Sequence, residues 1–473
     1  MINHYLEQQI KENFRYEPTF EQDLAIKTLS EFLTSSKKEG ICILRGYAGT
    51  GKTSLIGALV KTMDNLKQKS VLLAPNGRAA KVFSLYAEHP AYTIHKKIYR
   101  QKSFSNDLTN FTLNENLHQH TLFLVDEASM IANEGLSGSY LGSGRLLDDL
   151  IQFVYNGTGC RLLLLGDTAQ LPPVGEEESP ALNTSIIQGY GLDVTEINLT
   201  QVVRQVESSG ILWNATRLRR CIETEDMFSL PHIRLKGFAD IRVVEGTELI
   251  DTLNCCYGKD GLDETIVICR SNKRANLYNN GIRNTILYRE DELNSGDRLM
   301  IAKNNYYWTK DNKEVDFIAN GDIATIRRIR RTRELYGFRF ADLLLTFTDY
   351  NDLELEATVL LDTLHAEAPS MSHEDNDRLF QTILEDYADI SNRKEQMKKM
   401  KEDPHYNALQ VKYAYAITCH KAQGGQWKHV FLDQGYMTDD MLTPDYFHWL
   451  YTAFTRATET LFLVNYPQQQ LEK

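Results

Sequence analysis

Short apolar runs recur along this chain, each closing in a polar or glycine-containing segment. They are Ile41–Leu44, Val71–Ala74, Leu122–Val125, Leu162–Leu165, Ile266–Cys269, Tyr413–Ile417, Val430–Leu432 and Leu461–Val464. Because they do not alternate with polar residues, each predicts a strand buried on both faces. Between several of them apolar positions fall at helical spacing, as from Leu24 to Phe32 and from Leu55 to Met63. Strands separated by helices in this way predict an α/β fold of parallel sheets, whose ligands bind beyond the carboxyl ends of the strands.

The runs cluster before residue 170 and after residue 260, which predicts two lobes. The first is expected over 1–198, interrupted at about 97–119, where Phe104, Leu108, Phe111 and Leu113 flank Asn106-Asp107 and predict a β-hairpin. The second is expected over 199–321 and again over 411–473. Between them, 322–410 has a different texture. Ile323–Arg330 and Leu343–Phe347 predict short strands, and Glu374–Ile390 and Asn392–Glu402 predict helices, so this stretch is expected as an insertion. Gly135–Gly144 predicts a flexible loop.

Composition narrows the class. At 473 residues the chain exceeds one hydrophobic core, and 42% apolar with 25% charged residues is ordinary for a globular protein. Seven cysteines without a CxxC pair argue against a zinc site or disulfide framework and for a reducing, cytoplasmic setting. Neither a signal peptide nor a long apolar span is visible, so no membrane association is expected. A net charge of −12 argues against binding nucleic acid by bulk electrostatics, though not against a locally basic groove.

The chemistry begins where Ile41–Leu44 runs into Gly46-Tyr47-Ala48-Gly49-Thr50-Gly51-Lys52-Thr53. A strand that ends in this glycine-rich loop and opens a helix at Ser54 is a P-loop, whose backbone N–H groups cradle phosphate. Gly46, Ala48, Gly49, Thr50, Gly51 and Ser54 are its candidate nucleotide contacts. Lys52 is expected on the β- and γ-phosphates, and Thr53 on Mg²⁺. After Leu122–Val125 come Asp126 and Glu127. The first is the candidate Mg²⁺ partner, and the second the base that orients and deprotonates the attacking water. Leu162–Leu165 leads into Gly166-Asp167-Thr168-Ala169-Gln170-Leu171-Pro172-Pro173, where a Gln fixed beside Pro-Pro suits sensing of the γ-phosphate.

In this order the segments resemble motifs I, II and III of the superfamily 1 helicases. Gln22 resembles the adenine-reading Q motif, Ala74–Lys81 motif Ia, Leu199–Gln205 motif IV, Tyr415–Gly424 motif V and Leu450–Ala457 motif VI. Ala416-Ile417-Thr418-Cys419-His420-Lys421-Ala422-Gln423-Gly424, together with Gly296–Met300 and Asn320-Gly321-Asp322, is similar to the RecD and Dda branch, which moves 5′→3′. The resemblance spans residues 19–465. It implies two RecA-like lobes, with a small hairpin in the first and an SH3-like barrel plus helices inserted in the second. It also implies ATP and Mg²⁺ as cofactors, single-stranded DNA and duplex junctions as partners, and a monomer. Arg204 and Arg456 are then expected as arginine fingers, crossing from lobe two to stabilise transition-state charge.

The implied nucleic-acid track runs over Pro75, Asn76, Arg78, Thr93 and His95 of lobe one and Thr418, His420 and Lys421 of lobe two. Two departures stand out. Asn76 occupies a position where the family commonly has Thr. Gly425-Gln426 follows Gly424, where the family usually continues Ser-Glu with the Glu on the nucleotide sugar; Gly424 and Gln426 are the corresponding nucleotide contacts here. A basic run, Arg327, Arg328, Arg330, Arg331 and Arg333, reads either as a solvated strand or as a second DNA-facing surface. The expected function is an ATP-dependent 5′→3′ single-strand translocase and DNA helicase. The alternatives are an ATP-gated clamp or protein-displacing remodeller with little unwinding, and an RNA-directed relative.

Overall fold

The computed structural model describes residues 2–36, 39–101, 111–133, 142–203, 208–310, 315 and 317–472. Along the first lobe run α1 (Ile2–Asn13), α2 (Phe20–Thr34), β1 (Gly40–Gly46), α3 (Lys52–Asn65), β2 (Lys69–Ala74), α4 (Gly77–Ala87), β3 (Ala91–Thr93), α5 (Ile94–Ile98), β4 (Tyr99–Gln101), β5 (Phe111–Leu113), β6 (Thr121–Val125), α6 (Leu146–Tyr155), β7 (Arg161–Gly166), α7 (Thr184–Gln188) and β8 (Asp193–Leu199). Six strands form one sheet in the order β3-β2-β6-β7-β1-β8, and every pairing is parallel. Its strands are buried on both faces, as the unbroken apolar runs require. Ile41 and Ile43 enter one cluster with Phe123 and Val125, while Cys42 and Leu44 enter the opposite one with Leu122 and Leu124. β8 was hidden in the sequence because it is an edge strand with exposed Asp193, Glu196 and Asn198 alternating with its apolar residues. β4 and β5 pair antiparallel within the expected hairpin, and the residues between them lie outside those described.

The second lobe begins with α8 (Gly210–Glu223), β9 (Ile233–Arg234), β10 (Ile241–Val244), α9 (Leu249–Asp260), β11 (Thr265–Cys269) and α10 (Asn272–Gly281). The chain then enters a closed barrel of β12 (Arg298–Ile301), β13 (Ile323–Leu335), β14 (Phe338–Phe347), β15 (Leu353–Leu360) and β16 (Leu409–Tyr413), with α11 (His373–Asp386) and α12 (Arg393–Lys401) inserted before the last strand. It returns through β17 (Ala416–Thr418), α13 (Cys419–Ala422), β18 (Trp427–Asp433), α14 (Pro444–Phe454), β19 (Ala457–Val464) and β20 (Leu471–Glu472), the last paired with β9. The lobe-two sheet is parallel, in the order β10-β19-β18-β11-β17.

Two expectations need correction. The barrel is wider than 322–410, because β12 lies before those bounds and β16 runs past them to Tyr413. The run Tyr413–Ile417 is two strands in two different sheets. Asn279 pins the crossover: its Nδ2 donates to the carbonyls of Tyr413 and Ala416, and its Oδ1 accepts from the N–H groups of Tyr415 and Ala416. The barrel is not packed separately, since Val267 and Cys269 of β11 share one apolar cluster with Leu299, Ile301, Ala324 and Leu345. Among the described residues no helix is long and apolar enough to cross a membrane.

Candidate active site between the lobes

β1 delivers the P-loop into the start of α3. Gly49 and Gly51 both sit in the left-handed region, at φ 79° and 80°. A Cβ on Gly49 would stand 2.9 Å from Val202, and one on Gly51 2.4 Å from the Gln22 amide nitrogen, so glycine is needed for conformation and for space alike. Gly51, at the N-cap of α3, has no side chain, and among the described residues none caps that terminus, which leaves its first-turn N–H groups for an anion. Thr53 and Ser54 are exposed in that first turn. Thr50 is buried and turns its hydroxyl back onto the Tyr47 carbonyl. At Gly46, a Cβ would stand 3.2 Å from that hydroxyl.

At the end of β6, Asp126 Oδ1 accepts from the Glu127 N–H at 2.8 Å and lies 3.9 Å from Lys52 Nζ, while Oδ2 accepts from the Tyr86 hydroxyl. Glu127 takes a left-handed φ of 51°, which turns it away from the strand direction. Burial raises its carboxyl above the ordinary range, against the opposing pull of Arg456 and Lys52. Glu127 Oε1 stands 3.9 Å from Arg456 Nη1, so a group of lobe two faces the acidic pair of lobe one. Glu127 Oε2 and Gln170 Oε1 are buried and accept no hydrogen bond among the described residues.

Arg456 is itself buried. It donates through Nε to the Thr452 carbonyl, through Nη1 to the Gly425 carbonyl and through Nη2 to the Thr455 hydroxyl. Around it α14 binds the strand ends of lobe one. The Tyr451 hydroxyl donates to Asp167 Oδ2 at 2.7 Å and accepts from the Ala48 N–H at 3.0 Å. Thr452 accepts from the Leu171 N–H, and Gln423 donates to the Leu171 carbonyl. Arg219 of α8 lies over the Tyr47 ring at 4.5 Å and donates to the Thr200 carbonyl.

Several expected contacts are engaged differently. Ala48, expected to offer its N–H to phosphate, gives it to Tyr451, because α14 packs directly on the loop. Gln22, expected on adenine, is 2% exposed and bonded at both ends, to Thr19 and to the Thr50 carbonyl. Gly424, at φ 73°, would bring a Cβ to 2.8 Å from Ala79, so this candidate nucleotide contact packs on α4. Gln426 is exposed, and its carbonyl accepts from Arg78. Arg204 lies outside the described residues.

On the expected track, Pro75 is half-buried and Asn76 caps α4, its Oδ1 accepting from Ala79 and its Nδ2 donating to the Gln423 carbonyl. Arg78 stacks 4.0 Å over the Trp427 ring, so it ties the lobes together, and burial lowers its pKa to about 10. Thr93 is buried as the cap of α5. His95 meets Phe317 edge-on, and burial takes its pKa down to about 4, which leaves it neutral at pH 7 and without charge for phosphate. Thr418 is half-buried and His420 is exposed. Lys421 donates to Asn320, and burial lowers its pKa to about 8. The sequence reading assigned no role to Tyr86, Asp167, Arg219 or Tyr451. Asp167 and Tyr451 stood inside quoted motifs, but only the packing of α14 on the P-loop reveals their pairing.

Two family models match the chain, an AAA domain over residues 22–221 and a UvrD-like helicase C-terminal domain over 413–464. An uncharacterized protein, R530, of Acanthamoeba polyphaga mimivirus is 24% identical over 93% of this chain and 98% of its own length. The ATP-dependent RecD2 DNA helicase of Deinococcus radiodurans is 24% identical over 89% of this chain, which spans 46% of that protein. Among solved structures, a Pif1 helicase from Bacteroides in complex with ADP-AlF3 and ssDNA aligns with TM-score 0.47 and 14% identity, over 97% of this chain and 95% of that one.

Proposed function

We propose that this chain is a superfamily 1 DNA helicase of the RecD-like kind, which hydrolyses ATP in the cleft between its lobes and moves 5′→3′ along single-stranded DNA, separating duplex at a junction; the two family models and the RecD2 relative support this reading. The observation that carries this reading is the approach of Arg456 to Glu127 at 3.9 Å, beside Lys52 at 3.9 Å from Asp126. Groups from both halves of the chain thus converge where a γ-phosphate would lie beyond the carboxyl ends of β1, β6 and β7.

In this reading Lys52 and the uncapped first turn of α3 bind the phosphates. Glu127 orients the attacking water and takes its proton, a role favoured by a carboxyl raised through burial. Gln170 senses the γ-phosphate, and Arg456 and Arg204 neutralise charge developing on it. Thr53 and Asp126 offer oxygen ligands of the kind a hard cation prefers, and they would hold Mg²⁺. Bound there, the ion would offset negative charge on the β- and γ-oxygens. Closure follows from the cleft's construction: α14 bonds to Ala48, Asp167 and Leu171, so occupancy of the P-loop is felt by lobe two.

Single-stranded DNA is the proposed track partner, with exposed His420 and half-buried Thr418 as its contacts on lobe two. The reading is tested with a duplex carrying a 5′ or a 3′ single-stranded tail. Displacement should require ATP and the 5′ tail. Preference for the 3′ tail would contradict the polarity, and hydrolysis without displacement on either substrate would favour the clamp.

A further inference from the structure

The segment Gly425-Gln426-Trp427 grips Arg456 on two sides. The Gly425 carbonyl accepts from Arg456 Nη1 at 3.2 Å, and the Trp427 backbone N–H donates to the Arg456 carbonyl at 3.0 Å. The aim of the guanidinium at Glu127, 3.9 Å away, therefore follows the shape of this segment.

Lobe one holds the same segment from outside. Arg78, in the first turn of α4, lays its guanidinium 4.0 Å over the Trp427 ring and donates through Nη2 to the Gln426 carbonyl at 3.2 Å. A planar guanidinium makes both contacts at once, stacking through its face and donating from its edge. Beside it, Asn76 Nδ2 donates to the Gln423 carbonyl at 3.4 Å, so the start of α4 follows the loop from Gln423 to Trp427. Gly425 supplies the space. A Cβ there would stand 2.5 Å from the Trp427 ring and 2.8 Å from Arg78 Nε. The ring is only 1% exposed, so the side chain that would have to give way is Arg78. Gly425 stands where the helicase family that the chain resembles usually has Ser, and the stack explains this departure.

We propose that Arg78 is a positioning residue for hydrolysis: from lobe one it fixes the Gly425–Trp427 segment and, through it, the aim of Arg456 at the reacting phosphate. The inference rests on the cleft being an ATP hydrolysis site in which Arg456 meets the γ-phosphate. It gives Arg78 a task besides the nucleic-acid contact expected from the sequence, and the two tasks leave different kinetic traces. A phosphate contact sets how much DNA is needed, whereas a positioning residue sets the rate once DNA and ATP are saturating.

The test is ATP hydrolysis by the full chain, titrated with single-stranded DNA and with ATP. Arg78→Ala should lower kcat at saturation by about tenfold or more, because a misplaced arginine loses its hold on transition-state charge. KM for ATP and the DNA concentration for half-maximal stimulation should each move by less than about threefold. Arg78→Lys keeps the charge without the planar stack, so it should share most of the loss. In the Arg456→Ala background, with residual turnover read at excess enzyme, Arg78→Ala should cost nothing further, since the group it aims is gone. Gly425→Ser should reproduce the Arg78→Ala loss. An unchanged kcat in Arg78→Ala, full rescue by Lys, or losses that multiply in the double variant would overturn the inference. Should Gly425→Ser fail to fold, the Arg78 variants decide alone. No hydrolysis by the unaltered chain, or hydrolysis indifferent to Arg456→Ala, would instead overturn the proposed function.

Discussion

Lys52 and Glu127 act through placed charge, and their substitution separates binding from chemistry. Lys52→Ala removes the ammonium while leaving the loop backbone, so nucleotide affinity should weaken and hydrolysis should be abolished. Substantial residual turnover in a phosphate-release assay would refute the P-loop role of this residue. Glu127→Gln keeps size and hydrogen bonding but cannot accept the proton. It should bind ATP and DNA normally and hydrolyse at least about 100-fold more slowly, as expected for loss of a general base. Normal turnover would move the base elsewhere. These two residues were legible in the sequence because a strand end fixes where the next side chains go. Tyr451 was not, because its hydrogen bonds to Asp167 and Ala48 join residues far apart in the chain.

Elements decide which faces meet. The loop after α13 reaches α4 because Gly424 adopts φ 73°, and a Cβ there would lie 2.8 Å from Ala79. Gly424→Ala therefore combines a left-handed backbone cost of roughly 1–2 kcal/mol with a close contact across the lobes. The expected result is a fall of about tenfold or more in kcat/KM for DNA-stimulated ATP hydrolysis, since 1.4 kcal/mol is about a factor of ten. Circular dichroism should still show a folded protein. An unchanged rate would mean that this loop and α4 separate freely during turnover. The basic strand gives a second lesson at this scale. Simple alternation would put neighbouring arginines on opposite sides, but register shifts between Ile326 and Arg328 and between Ile329 and Arg331 break it. Arg327, Arg328, Arg330 and Arg331 are consequently all exposed.

The whole molecule meets at Asp322, in the turn between β12 and β13. This buried carboxylate accepts from the Tyr350 hydroxyl and the Ala319 N–H, and a Cβ on Gly77 of lobe one would stand 2.8 Å from that hydroxyl. Burial pushes its pKa up from 3.8 to about 7, with Asp349 adding to the rise and Tyr350, Ala319 and Lys421 opposing it. The folded state therefore holds a proton that the unfolded chain releases near pH 4, so stability falls as pH rises through the window from about 4 to about 7. At about 1.4 kcal/mol per pH unit the effect is bounded at roughly 4 kcal/mol. Asp322→Asn cannot ionise, so its urea midpoint should drop less than that of the unaltered chain between pH 5 and pH 8. Equal drops would show that Asp322 stays charged in the fold.

At this scale the division of information is plain. Unbroken apolar runs and short contiguous motifs determined the two parallel sheets, the P-loop and the acidic pair, because strand burial and loop conformation follow from neighbouring residues. Tertiary structure alone decided that β12 and β16 belong to the barrel, that Arg78 and Asn76 join the lobes, and that Gln22 bonds to Thr19 and Thr50. Each of those depends on which distant surface supplies the hydrogen-bond partner, and that choice is made when separate layers pack, not along the chain.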